Sequence, residues 1–195
     1  MVRFILCALG VLFTATGLAN AQIIAFDLRG RGPGASGIGL TGANEAPTAV
    51  VGGGSGGELG AGITFNSATN VLTINVGWGS GNGFTDLTGP VTVGHIHGPT
   101  VMTAPGSFSE AVGIRYNLHT EPGFNASATS GGFNGVVNIL PADVAGLFEG
   151  RFYLNFHTTV NPGGEIRGQM VPEPSSMILA GVVAAGAAWR RSRKR

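Results

Sequence analysis

Residues 70–78 read NVLTINVGW, and from Leu72 onward every second side chain is large and apolar: Leu72, Ile74, Val76 and Trp78 alternate with Thr73, Asn75 and Gly77. Period two sends the two sets to opposite faces, so the pattern fits a β-strand with one buried face. The same period returns in RFYLNFHT, residues 151–158, where Phe152, Leu154 and Phe156 alternate with Tyr153, Asn155 and His157. Asn66 to Asn70 separates ITF from the first of these runs and predicts a hairpin turn. Further strands are predicted at 38–40, 57–65, 91–97, 108–117 and 132–139. Between residues 22 and 171 there are 31 glycines. Each costs about 1 kcal/mol relative to Ala inside a helix, which excludes a mostly helical body. One short helix is predicted in LPADVAGLFEG, with Pro141 at its first turn. The predicted fold is all-β, an antiparallel sandwich or barrel, with Trp78 in its core.

The two ends read differently. Met1 to Arg3 carries one positive charge, Phe4 to Leu18 is mainly apolar, and Ala19-Asn20-Ala21 has the small-x-small spacing of a cleavage site. A helical signal peptide over 1–21, cut after Ala21, is expected. Cys7, the sole cysteine, lies within it, so residues 22–171 have no thiol for catalysis, metal binding or a disulfide. At the other end Pro172, Glu173 and Pro174 precede an uncharged apolar stretch, Met177 to Trp189, and then five positive charges in Arg190 to Arg195. A short hydrophobic helix and transmembrane segment over 177–189, with the basic end inside, is the expectation, although it is shorter than the roughly 20 residues of a permanent span. The tripartite order of residues 171–195 resembles a PEP-CTERM sorting signal. That resemblance implies recognition by an exosortase at the inner membrane, removal of the tail, and a mature form at the cell surface or outside the cell. It also implies an exopolysaccharide or another surface protein as the partner. The chain thus divides into 1–21, 22–171 and 172–195.

The central part has five Arg, no Lys and nine acids, a net charge of −4. A nucleic-acid partner needs a basic face, which this part lacks. The Gly-rich VGGGSGGELG spells G-x-S-x-G around Ser55 and G-x-G-x-x-G from Gly52. Neither the strand-to-helix elbow nor the βαβ unit those motifs require is predicted here, so the stretch reads as a loop.

Two of the four histidines stand one residue apart in VGHIHGP, residues 93–99. On a strand His95 and His97 project from the same face. They read either as polar residues of a sheet surface or as two ligands of a copper or zinc ion, for which neutral imidazoles are good donors. Glu165, Arg167 and Gln169 also share a polar face, where an Arg–Glu pair is expected.

Three motifs resemble the CHRD domain, the module named after chordin: LTGANEAPT (residues 40–48), VGHIHGP, and FYLNFHTTVNPGGEIRGQM (residues 152–170). The resemblance implies an all-β, immunoglobulin-like or barrel-like domain over 22–171 in a secreted or surface protein, with no established reaction. An exported binding or structural module, and no enzyme, is therefore expected. The HIH pair and a later histidine are also similar to copper–zinc superoxide dismutase, itself an antiparallel sandwich. That similarity implies a redox-active three-histidine metal site of His95, His97 and His157. A metal there also needs an acceptor for each ring's other nitrogen, for which Asn155 and Glu165 are the candidates. The disulfide and zinc loop of that enzyme have no counterpart, and His119 has no matching context.

Overall fold

The computed structural model describes residues 22–31, 39–126 and 128–174. The signal-peptide and cleavage-site expectations (1–21, Ala21) and the hydrophobic segment 177–189 lie outside these. Among the described residues no helix is long and apolar enough to cross a membrane.

Among the described residues ten strands form one antiparallel sheet: β1 (Ile23–Arg29), β2 (Leu40–Thr41), β3 (Ser55–Asn66), β4 (Val71–Trp78), β5 (Val91–His97), β6 (Ile114–Asn117), β7 (Phe124–Ala126), β8 (Gly131–Asn138), β9 (Phe152–Thr158) and β10 (Ile166–Pro172). The order is β6-β5-β9-β10-β1-β3-β4-β8-β7, and the two-residue β2 pairs with both β10 and β3. The sheet folds back on itself as a sandwich. Trp78 of β4 and Phe156 of β9, well separated in the strand order, lie with ring centroids 4.6 Å apart. The apolar set of each alternating strand lines the interior: Leu72, Ile74, Val76 and Trp78 meet Ile96, Phe152, Leu154 and Phe156. The predicted hairpin is present, with Asn66 opposite Val71 and Asn70 in the left-handed region at φ 57°, which Asn tolerates better than most residues. Helix α1 (Val144–Phe148) follows a 3-10 turn opened by Pro141.

Three expectations need correction. Residues 55–60, read as part of a Gly-rich loop, are the first half of β3, where the glycines let neighbouring backbone pass close. The strand predicted at 108–117 shrinks to Ile114–Asn117, because residues 106–109 form a 3-10 turn within a loop that crosses the outer face of the sheet. And β9 is buried on both faces, from Phe152 to Thr158. Its polar set, Tyr153, Asn155 and His157, points away from the core but not into water. The loop of residues 98–113 and the turn of residues 159–165 cover it, and the segment 42–54 joins them over neighbouring β10. The outer face of β5, β9 and β10 is therefore a second, polar interior.

Pro172 ends β10 opposite Phe26 of β1, and the Glu173 N–H donates to the Ala25 carbonyl at 2.9 Å. The Pro172-Glu173-Pro174 motif thus leaves the domain directly from its last strand.

Candidate metal centre

Register builds the cluster. On the antiparallel β5–β9 pair, Val93 faces His157, His95 faces Asn155 and His97 faces Tyr153. Ile96, between the two histidines, belongs to the core, so His95 and His97 are sent outward beside His157. Gly94 is required between them. A Cβ there would lie 2.8 Å from the Phe156 ring and 2.9 Å from the Phe124 ring, closer than packed atoms come, so any larger residue would push β5 off the core.

His95, His97 and His157 are all buried, and each offers a ring nitrogen within 4.8 Å of the other two. Backbone carbonyls fix two of the tautomers. His97 Nδ1 lies 2.8 Å from the Val112 carbonyl, and His157 Nδ1 lies 2.9 Å from the Pro162 carbonyl. A carbonyl only accepts, so both rings carry their proton on Nδ1 and keep a lone pair on Nε2. His97 Nε2 is buried without a partner. His157 Nε2 is 3.2 Å from His95 Nδ1; since His157 can only accept there, the His95 Nδ1–H donates. Burial, then the neighbouring His157, His97 and His119, pushes the His95 pKa down to about 4. Burial likewise lowers His97 and His157, against the raising effect of their carbonyl partners. Three neutral imidazoles facing one another are in the protonation state a metal requires.

The rings' partners are not the expected Asn155 and Glu165. Both acceptors are main-chain carbonyls of covering loops, and the two polar side chains act on those loops and their neighbours instead. The Glu165 carboxylate accepts from the Gly54 N–H (3.0 Å), the Thr88 N–H (2.7 Å), the Thr88 and Thr158 hydroxyls (2.6 and 2.7 Å) and the Asn161 amide (3.1 Å). It thereby holds the turn that presents the Pro162 carbonyl to His157. The expected Glu165–Arg167 pair is not formed. Arg167 donates to the carbonyls of Glu110 (2.7 Å) and Ser107 (3.1 Å) and to Gln169 Oε1 (3.0 Å), which fastens the 98–113 loop to the sheet. Tyr153 is stacked between His97, at 4.9 Å and 8° between ring planes, and the Arg167 guanidinium, 3.6 Å from its ring centre. Its hydroxyl accepts from the Val112 N–H at 3.1 Å, beside the carbonyl that holds His97.

Sequence reasoning missed three participants. Glu45 and Asn44, from LTGANEAPT, reach the same polar interior. Asn44 Nδ2 donates to the Arg167 carbonyl at 2.9 Å, and Glu45 Oε2 accepts from Asn155 Nδ2 at 3.2 Å. Only their place in a motif with no periodicity marked them. His119 lies on the turn after β6, with its ring centre 5.1 Å from that of His95. Thus all four histidines gather at one end of one sheet face, and the three motifs quoted above meet there.

The family model for the CHRD domain matches residues 37–170, and that for the PEP-CTERM protein-sorting motif matches residues 171–194. Searches of curated proteins and of solved structures gave no match. The sorting motif marks an exported, membrane-anchored precursor that an exosortase processes for the cell surface.

Proposed function

The chain belongs to the CHRD domain family, and from that premise we propose that it is a surface-displayed binding module whose domain holds one copper or zinc ion through His95 Nδ1, His97 Nε2 and His157 Nε2. One observation carries this reading: three buried ring nitrogens converge within 4.8 Å. Two Zn–N bonds of about 2.1 Å span only about 4 Å, so these nitrogens need to close up only slightly around an ion. The unpartnered His97 Nε2 supports it further, because a buried polar atom without a partner costs about 1–3 kcal/mol that a ligand would recover. The donor set is all imidazole, which suits copper and zinc and disfavours magnesium or calcium. Binding requires the His95 proton to move from Nδ1 to Nε2, breaking its bond to His157.

No reaction is assigned. The module binds outside the cell, with an exopolysaccharide or another surface protein as the partner class that exosortase sorting favours. Titration with Cu²⁺ and Zn²⁺ of the purified chain beside His95→Ala and His157→Ala variants tests the site. Stoichiometric binding lost in both variants supports it. Equal binding by all three proteins reduces the histidines to sheet packing.

A further inference from the structure

We propose that His119 is the fourth, exchangeable ligand of this centre, swinging onto the ion from its solvent side; the inference rests on the three-histidine reading. Ring separations give the first reason. A ligated imidazole has its ring centre about 3.2 Å from the ion, the sum of a bond of about 2.1 Å and a ring radius of about 1.1 Å, so tetrahedral neighbours have centres about 5.2 Å apart. The observed separations are 5.5 Å for His95–His97, 4.9 Å for His95–His157, 5.9 Å for His97–His157 and 5.1 Å for His95–His119. The fourth ring thus stands as close to His95 as the members of the triad stand to one another.

Protonation gives the second reason. His119 Nδ1 faces the Gly94 carbonyl at 3.2 Å, so its lone pair, like those of His97 and His157, is on Nε2. This is the longest of the three imidazole–carbonyl contacts, and the same carbonyl also accepts the Leu118 N–H at 2.9 Å and the His119 N–H at 3.3 Å. Releasing the ring leaves Gly94 satisfied by the main chain. His119 is also only half-buried while the other three are buried, which leaves it room to turn. Its nitrogens lie outside the mutual 4.8 Å set of the triad. Ligation therefore requires the ring to rotate about its side-chain bonds, and the resting structure holds three ligands and one in waiting.

The test uses the full chain loaded with one equivalent of Cu²⁺, and His119→Gln and His119→Ala variants loaded in the same way. Electron paramagnetic resonance is expected to show hyperfine coupling to four nitrogens in the parent and to three in the variants, with affinity lowered at least about tenfold. A three-nitrogen spectrum in the parent, or four nitrogens retained in both variants, overturns the assignment of His119 while leaving the triad in place. A parent that takes up no stoichiometric copper overturns the triad itself. Should either variant misfold, as judged by far-ultraviolet circular dichroism, the nitrogen count of the parent still decides.

Discussion

Substituting Glu45 by Gln should change how the stability of the domain depends on pH. Glu45 is 4% exposed; Oε2 takes one bond from Asn155 and Oε1 has no partner. Burial raises its pKa to about 7, against the lowering influences of the Arg167 charge, of Asn155 and of the Ala46 backbone. The folded chain therefore holds this proton more tightly than the unfolded chain does. Between pH 4.5 and about 7 the native state binds more protons, so rising pH removes stability across that window. A rise of about 2.5 units at 1.36 kcal/mol each gives about 3 kcal/mol lost by pH 8. Gln cannot ionise. It should match the parent near pH 5 and exceed it by about 2–3 kcal/mol at pH 8. His95, His97 and His157 act in the opposite sense: their lowered pKa values withdraw stability as pH falls below the ordinary imidazole range. For that reason the readout is the difference between parent and variant, both in chelator. Denaturant midpoints at pH 5, 6, 7 and 8, at constant m, supply it. A difference that stays flat over this range would refute the argument, because it would mean that Glu45 is ionised throughout.

Trp78→Ala should cost about 3–5 kcal/mol, the range for deleting a fully buried large aromatic, since Trp78 packs on Phe156 and Phe124; a loss under 1 kcal/mol in urea unfolding would place it outside the core. Glu165→Gln removes the charge that five donors share and loosens the turn behind His157. It should weaken Zn²⁺ binding about 10–100-fold, as loss of a ligand's support commonly does, and unchanged affinity by competition titration would contradict that role. Intact mass of the surface-derived protein should show a chain beginning at Gln22 and lacking the apolar tail; a chain still ending in Arg195 would argue against removal.

The inward face of this fold was legible because water enforces it. Leu72, Ile74, Val76 and Trp78 can be hidden together only on a strand, and Asn66 to Asn70 and Pro141 carry turn chemistry in their own residue types. His95 and His97 share a face by period alone, whereas His157 joined them through family resemblance, since register between β5 and β9 is set by distant packing. The outer face was misread for a physical reason. Tyr153, Asn155, Arg167 and Gln169 alternate as a solvated face does, and nothing in their spacing tells water from a polar covering loop. The supports of the imidazoles were beyond the sequence altogether: the carbonyls of Val112, Pro162 and Gly94 belong to the main chain and have no residue signature. Gly94 itself gave no signal, although the approach of Phe156 and Phe124 permits nothing larger there.

The most direct measurement is a crystal structure of the chain grown with zinc or copper, with anomalous differences collected at the absorption edge of the metal. The account predicts one peak on the outer face of β5 and β9, bonded at about 2.0–2.1 Å to His95 Nδ1, His97 Nε2 and His157 Nε2. A protein saturated with metal whose three imidazoles keep their present contacts and carry no peak among them would contradict it.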